Sequence, residues 1–464
     1  MNETIRFSRR VALALSLLAV LLVLVAPAGA QDAAPTAADP MTRALNAVRL
    51  ALEEKFGADL QVLSRWTFEE MEFVNGIDSC VRLDDPNSGR RLYWGWRFVL
   101  TSVSGQRYEG RSSFDATIIT ACDEVTVEAP APASPGAEAD PNLPAPVAGS
   151  GAVGGFEVGG HVLELSSNTV GLMRRAGMTW VKKQLRYSLG QDPSTAAGLI
   201  QAAKANGFKI LLGIVGDPSQ MGDFNSYINS YAAFVGGVAA LGPDAIEVWN
   251  EPNIDREWPA GQINGGNYTR LLAAAFNAIK SANGNVMVIS GAPAPTGFFG
   301  TAGCGNGGCN DDTFMQQMAA AGAAAYLDCV GLHYNEGIIA PSQNGGDPRG
   351  GYPTYYFGSM LARGYNPFGK PVCWTELGYL SGQGFNTPIP ASFSWANNTT
   401  VAQQAAWLAE AASLSAQSGR VRLMIVWNVD FPFFTATDPM GGYAMFRPDG
   451  SCPACDSLGT VMRR

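Results

Sequence analysis

From residue 156 onward the chain alternates short apolar runs with amphipathic stretches, and that alternation limits the fold more than any other feature. Candidate strands begin near Phe156, Thr179, Lys209, Ala245, Val286, Leu327, Pro371 and Leu423. Between them Ala196, Leu199, Ile200 and Ala203 recur at helical spacing and stop at Gly207. Leu272, Ala275, Phe276 and Ile279 stop at Gly284, and Ala405, Leu408, Ala412 and Ser415 stop at Gly419. Residues three and four apart share one helix face, and a glycine just past the stripe supplies the left-handed turn that ends a helix. Strands separated by helices pair in parallel, because each helix returns the chain to the edge where it started. An open nucleotide-binding sheet would carry a glycine-rich phosphate loop after its first strand, and none follows here. Eight strands therefore predict an α/β fold, a (β/α)8 TIM barrel spanning residues 156–464.

What precedes the barrel reads as three shorter segments. Arg6, Arg9 and Arg10 stand before the apolar run Val11 to Val25, and small residues lead to a cleavage point between Ala30 and Gln31, so residues 1–30 read as a signal peptide. An uncleaved anchor is the alternative, although the run is near the short limit for a membrane span. Residues 128–155 are rich in Pro, Ala and Gly with almost no large apolar side chain, the composition of a flexible linker. Between these lies a small α+β domain, residues 41–127, of unknown role. One helix containing Leu45, Val48 and Leu52 ends at Gly57. A strand carries Leu92, Trp94, Trp96, Phe98 and Leu100 on one face, and Ser104-Gly105 turns into a partner strand ending at Cys122.

Charge and cysteines narrow the setting. The chain has a formal charge of −9, and loss of residues 1–30 with their three basic and one acidic side chains would leave −11. Neither value gives the basic footprint that nucleic acid requires, and no basic run suits anionic lipid. Eight cysteines fit an oxidising, extracytoplasmic compartment, with Cys80 and Cys122 alone before the linker, Cys304 and Cys309 in one loop, Cys452-x-x-Cys455 near the end, and Cys329 and Cys373 left over. A zinc knuckle from Cys304, Cys309, Cys452 and Cys455 is the less favoured alternative. No cofactor or metal is otherwise implied.

A barrel of this kind places its chemistry at the C-terminal ends of its strands. The fourth strand exits through Asn250, Glu251 and Pro252, the sixth at His333 and Tyr334, the seventh at Glu376, and the eighth at Trp427 and Asn428. His161 lies near the end of the first strand, so both histidines of the chain fall at strand exits. Two glutamates three strands apart can face each other across the mouth. A glycosidase needs that pair, one carboxyl protonated for the leaving oxygen and one ionised to attack the sugar.

The segments Trp249-Asn250-Glu251-Pro252-Asn253, Trp374-Thr375-Glu376, His333-Tyr334 and Trp427 resemble the signature of the clan A glycoside hydrolases, nearest to families 5 and 39, over about residues 155–450. The resemblance implies a retaining glycoside hydrolase acting on β-linked polysaccharide or exopolysaccharide. It implies Glu251 as acid/base, Glu376 as nucleophile, Asn250 as partner of the sugar 2-hydroxyl, Trp427 as a platform under the sugar, and His333 or Tyr334 as the orienting group. The clan usually carries an arginine near the end of the second strand; here Lys182 shares a face with Gln184 and Arg186 and is expected to replace it. His-Tyr rather than His-x-Tyr spacing lets only one of the pair point inward.

Further expectations follow. Glu251 should have a raised pKa and Glu376 should stay ionised beside Lys182. The aromatic loops holding Tyr352, Tyr355, Tyr356, Phe357, Tyr379, Phe385 and Trp395 suit sugar faces. The partner is then a polysaccharide or oligosaccharide substrate. The alternative function is a non-catalytic carbohydrate-binding or cell-surface adhesion protein on a barrel scaffold.

Overall fold

The computed structural model describes residues 40–61, 63–73, 76–77, 80, 93–127, 143–149, 154–296, 299 and 303–463. The expected signal peptide and residues 128–142 of the expected linker lie outside them. In the N-terminal part, helix α1 (Pro40–Phe56) packs on an antiparallel sheet of β1 (Leu63–Phe73), β2 (Tyr93–Ser102), β3 (Gln106–Ser113) and β4 (Ile119–Val127), paired in that order. Trp96, Phe98 and Leu100 are buried with Val48 and Leu52 of α1, as period-two alternation predicts; Leu92 and the side chain of Trp94 lie outside the described residues. The helix crosses so closely that a Cβ on Gly110 would stand 2.3 Å from Val48 Cγ1. The expected single partner strand after Gly105 is in fact two, β3 and β4. Ala116, at φ 59°, helps reverse the chain between them, a turn with no glycine to announce it.

The barrel follows. Its strands are β5 (Glu157–His161), β6 (Trp180–Arg186), β7 (Lys209–Val215), β8 (Ala245–Val248), β9 (Met287–Ser290), β12 (Val330–Tyr334), β13 (Val372–Leu377) and β14 (Val421–Val426). Each starts within three residues of its expected position. All seven pairings between neighbours are parallel, β14 pairs β5, and Ser290 N donates to Cys329 O at 3.1 Å where Ile289 bridges Cys329, so the sheet closes. A short hairpin, β10 (Cys304–Gly305) with β11 (Gly308–Cys309), lies between β9 and β12. The main helices are α2 (Ser167–Arg175), α3 (Ala197–Ala205), α4 (Phe224–Ala240), α5 (Gly265–Ala282), α6 (Asp311–Ala320), α7 (Phe357–Tyr365) and α8 (Val401–Ser418). Gly207 and Gly419 follow α3 and α8 with φ of 74° and 64°, the left-handed geometry expected there.

Two apolar layers hold the barrel. Between strands and helices lies the large core, and inside the sheet Trp180, Leu211, Ala245, Met287, Ile289, Leu423 and Ile425 fill the lower half of the axis. The four disulfides are Cys80–Cys122, Cys304–Cys309, Cys329–Cys373 and Cys452–Cys455. The cysteines considered for a zinc knuckle are thus bonded to one another, and four disulfides agree with an oxidising compartment. No helix among the described residues is long and apolar enough to cross a membrane.

The two parts touch. Arg65 Nε of β1 lies 3.0 Å from Asp312 Oδ2, the Trp66 ring meets Tyr352 edge-on at 5.9 Å, and Asn366 Nδ2 donates to Val103 O. The end of the expected linker is also bound. Val147 N donates to Asn277 Oδ1, Asn277 Nδ2 to Ala145 O, and the Tyr326 hydroxyl to Pro144 O. Its composition is poor in large apolar residues, but Leu143 packs against the barrel core and side chains of α5 and Tyr326 bind its backbone.

Candidate active site

The upper half of the barrel axis is polar. Lys182 of β6, Glu247 of β8, His333 of β12 and Glu376 of β13 are buried there above the apolar plug, and Glu251 is buried where the chain leaves β8. Burying five ionisable groups is tolerable only if they pair, because an isolated charge loses its hydration. Lys182 Nζ lies 2.8 Å from Glu247 Oε2 and 3.5 Å from Glu376 Oε1, and donates to Thr375 O at 3.2 Å. His333 Nδ1 lies 3.2 Å from Glu251 Oε1 and 3.8 Å from Glu376 Oε2, so those two oxygens are no farther apart than the sum, about 7 Å.

Local backbone features aim both glutamates. Strict alternation from Cys373, which faces the axis, would turn Glu376 outward. The register between β12 and β13 slips by one residue, pairing Leu332 with Trp374 but His333 with Glu376. That bulge brings Glu376 to the axis side, and bulges commonly re-aim a side chain in this way. At the other strand, Trp249 has φ 78° and Glu251 φ 46°, a conformation non-glycine residues seldom adopt and one that surrounding structure must impose. The surroundings do so. The Trp249 indole is fully buried and donates to Glu257 O at 2.8 Å, while a Cβ on Gly216 would stand 2.3 Å from its ring. Glu251 N donates to Ala292 O, and Asn253 clamps the next turn by donating to Ala294 O and Cys309 O and accepting from Ala294 N.

Of the expected site residues, the structure brings together Glu251, Glu376, His333 and Lys182, with Asn250 buried beside Glu251. His161 and Trp427 meet edge-on at 4.8 Å, and the partly exposed indole adjoins the cis Trp427–Asn428 peptide. His161 Nδ1 and His333 Nε2 are buried without a hydrogen-bond partner among the described residues. Lys182 and His333 approach His161 closely enough to add to burial in holding that imidazole neutral, well below its ordinary pKa. Tyr334 is not in the site. It points away from the axis, packed among Phe357, Trp374 and Tyr379 with its hydroxyl donating to Tyr355 O, because adjacent strand residues face opposite sides and His333 takes the inward one. Of the loop aromatics, Tyr356, Phe357 and Tyr379 are core; Tyr352, Tyr355, Phe385 and Trp395 keep part of their surface open.

Charge in the site runs against expectation. Burial alone would raise Glu251, but the His333 hydrogen bond and charge, together with Arg256 against Oε2, outweigh it and hold this carboxyl below its usual pKa. Burial dominates at Glu376, and Glu251 and Glu247 add to it, so that carboxyl is raised despite His333 and Lys182. The imidazole of His333, although buried, is raised by both glutamates. At Glu251 His333 contributes most to the lowering, and a second cation that spacing does not announce adds to it: Arg256, five residues past Glu251, folds back as its ion-pair partner.

Sequence reasoning also missed Glu247 and Glu257. Glu247 was legible, since Ala245 and Glu247 share the inward face of β8 by period two and a carboxylate there must have a cation. Glu257 and Arg256 sit in an irregular turn with no periodicity to reveal them.

No family model matches the chain, and no curated protein matches it. Among solved structures it is similar to a family 39 glycoside hydrolase from the gut symbiont Bacteroides cellulosilyticus WH2, at 16% identity over 86% of this chain and 76% of that one, with a TM-score of 0.47. It is also similar to fungal β-1,4-galactanases, at 14% identity over 64% of this chain and 91% of theirs with a TM-score of 0.45. An endo-1,4-β-mannanase from Rhizomucor miehei aligns at 14% identity over 69% of this chain and 99% of that one, with a TM-score of 0.44.

Proposed function

We propose that the protein is an exported retaining glycoside hydrolase acting on β-linked polysaccharide. The observation that carries this reading is the pair Glu251 and Glu376, delivered from two strands to one imidazole nitrogen with oxygens within about 7 Å of each other. Retention needs carboxyl groups about 5–5.5 Å apart, close enough for one to attack while the other serves the leaving group. Such a pair at the mouth of a barrel is also costly to bury, so a purely structural role would be better filled by apolar side chains.

In this reading Glu376 attacks the anomeric carbon as the glycosidic C–O bond breaks, and Glu251 gives its proton to the departing oxygen. Water then attacks the glycosyl-enzyme while Glu251, now a base, takes its proton, and the second inversion restores the starting configuration. Lys182 and His333 steady the negative charge that returns to Glu376. His161 Nδ1 offers a free hydrogen-bonding position beside the Trp427 face, suited to a sugar hydroxyl above an apolar platform. The test is hydrolysis of a broad polysaccharide panel by the purified chain, with proton NMR of the first-formed anomer. Newly released β-anomer from a β-linked polymer is expected; an α-anomer would mean inversion, and retention of polymer without new reducing ends would leave a binding protein.

A further inference from the structure

Arg256 needs a reason to be where it is. Its guanidinium lies on Oε2 of Glu251, the oxygen left open by His333 on Oε1, and so occupies the place from which Glu251 would serve a leaving group. The side chain is nevertheless 68% exposed. Below it Glu257, itself buried, accepts from Arg186 at 2.9 and 3.2 Å and lies 3.7 Å from Arg256 Nε. Arg186 is 59% exposed as well. Two solvent-facing guanidiniums, anchored by one buried carboxylate, thus stand beside the acid of a protein whose net charge is −9. If charge balance of Glu251 were the whole purpose, an exposed arginine would be a poor means, since surface ion pairs are weak and a bulky cation on the leaving-group side hinders the chemistry.

We propose that Arg256, supported by Arg186 over Glu257, is the recognition site for a sugar carboxylate on the leaving-group side of the scissile bond, so that the substrate is an acidic, uronate-bearing polysaccharide. The incoming carboxylate replaces the Glu251 carboxylate as partner of the same planar fork, a geometry for which a guanidinium is suited. Glu251 then keeps His333 but loses the second of the two cationic neighbours that hold its carboxyl down, and takes a proton more readily. Binding of the right polymer and arming of the acid become one event. The inference rests on the glycosidase reading for the role of Glu251 and adds the class of substrate.

The test separates the two. The full chain and its Arg256→Gln variant are run by affinity electrophoresis in gels holding uronate-bearing bacterial polysaccharides or the same polymers after chemical reduction of their carboxyl groups, and reducing ends are measured in parallel. The acidic form should retard the wild type with a dissociation constant about tenfold lower than the reduced form, and Arg256→Gln should abolish that preference, the loss expected for a charge-assisted bidentate pair. Glu257 keeps Arg186 in the variant, so the fold should survive, and unchanged thermal melting would show it. Equal retardation by acidic and reduced polymers, retardation by neither, or a preference that survives in Arg256→Gln, would overturn the inference. Hydrolysis of neutral polymers with equal kcat/KM by wild type and variant would also overturn it, while leaving the glycosidase reading in place. Preferential retardation without new reducing ends would support the carboxylate site and sink the hydrolase.

Discussion

The ionisation of Glu376 is set by a short row of charges, and changing them one at a time should move it in opposite directions. Lys182 Nζ stands 3.5 Å from its Oε1. At an effective dielectric constant of about 20, two unit charges at that distance attract by about 5 kcal/mol. Glu247 opposes part of this, since it lies 2.8 Å from the same ammonium and repels Glu376. Lys182→Met should therefore raise the Glu376 pKa further. Glu247→Gln should lower it, and the double variant should fall between. The single lysine variant strands Glu247 as a buried, unpaired charge at a cost of about 3–5 kcal/mol in stability, which the double variant largely relieves. Titration of the carboxyl carbons in protein labelled at glutamate Cδ, followed by carbon NMR, reads these shifts without any need for turnover. A lysine variant that leaves Glu376 unmoved or lowers it would refute the view that Lys182 holds this group toward its ionised form.

Other outcomes follow from neighbouring parts of the molecule. Glu376→Ala should abolish turnover and yield an inverted product with azide, whereas Glu251→Ala should spare substrates with good leaving groups and yield a retained azide product; the opposite pattern would exchange the roles. Glu157, between Lys209 and Arg422 at the bottom of the barrel, is pushed upward by burial but more strongly downward by those cations and the Trp180 indole, to about 2. Its stabilisation is present above the unfolded value of 4.5 and fades as pH falls toward 2. Glu157→Gln should therefore lower the melting temperature at pH 7, by the equivalent of about 1 kcal/mol for a partly exposed pair, and make no difference near pH 2. Limited proteolysis should cut within residues 128–142 on composition, and not at 143–149 where the backbone is bonded to α5, as mass spectrometry of the fragments would show. Arg65→Ala should loosen the N-terminal sheet from Asp312, seen as earlier proteolytic release of the small domain.

The eight strands were legible because each obeys a local rule. A short apolar run between amphipathic stretches, as at β7, β8, β9 and β14, reads the same way whether or not its neighbours are known. His333 and Tyr334 were legible too, as a pair of which one must face the axis. Tyr334 was misplaced in the site only because spacing fixes opposition and not which member is inside. The misreadings came where local rules stop. Glu376 faces the axis because of a bulge that pairs it with His333, and the sequence of β13 alternates as if no bulge were there. Alternation alone would have sent Glu376 outward, and the strand-exit rule singled it out for a different reason. Glu251 is aimed by two residues with positive φ and no glycine, which packing of Trp249 imposes from three other segments.

Arg256 shows why electrostatics was the least legible layer. A pKa depends on distances of a few ångströms among groups far apart in sequence, and these five buried ionisable residues come from four strands and their exits. Reading the exits picked out the two glutamates that the structure brings together, but not which of them holds a proton. His333 and Arg256 hold the Glu251 carboxyl below its usual pKa while burial raises Glu376, the reverse of what a first displacement requires in the proposed reading. A solvent-exposed cation can leave Glu251 for an incoming carboxylate, and its departure shifts Glu251 toward the protonated form that a first displacement needs. The exposure of Arg256 is therefore as much a part of the proposed mechanism as the burial of the two glutamates.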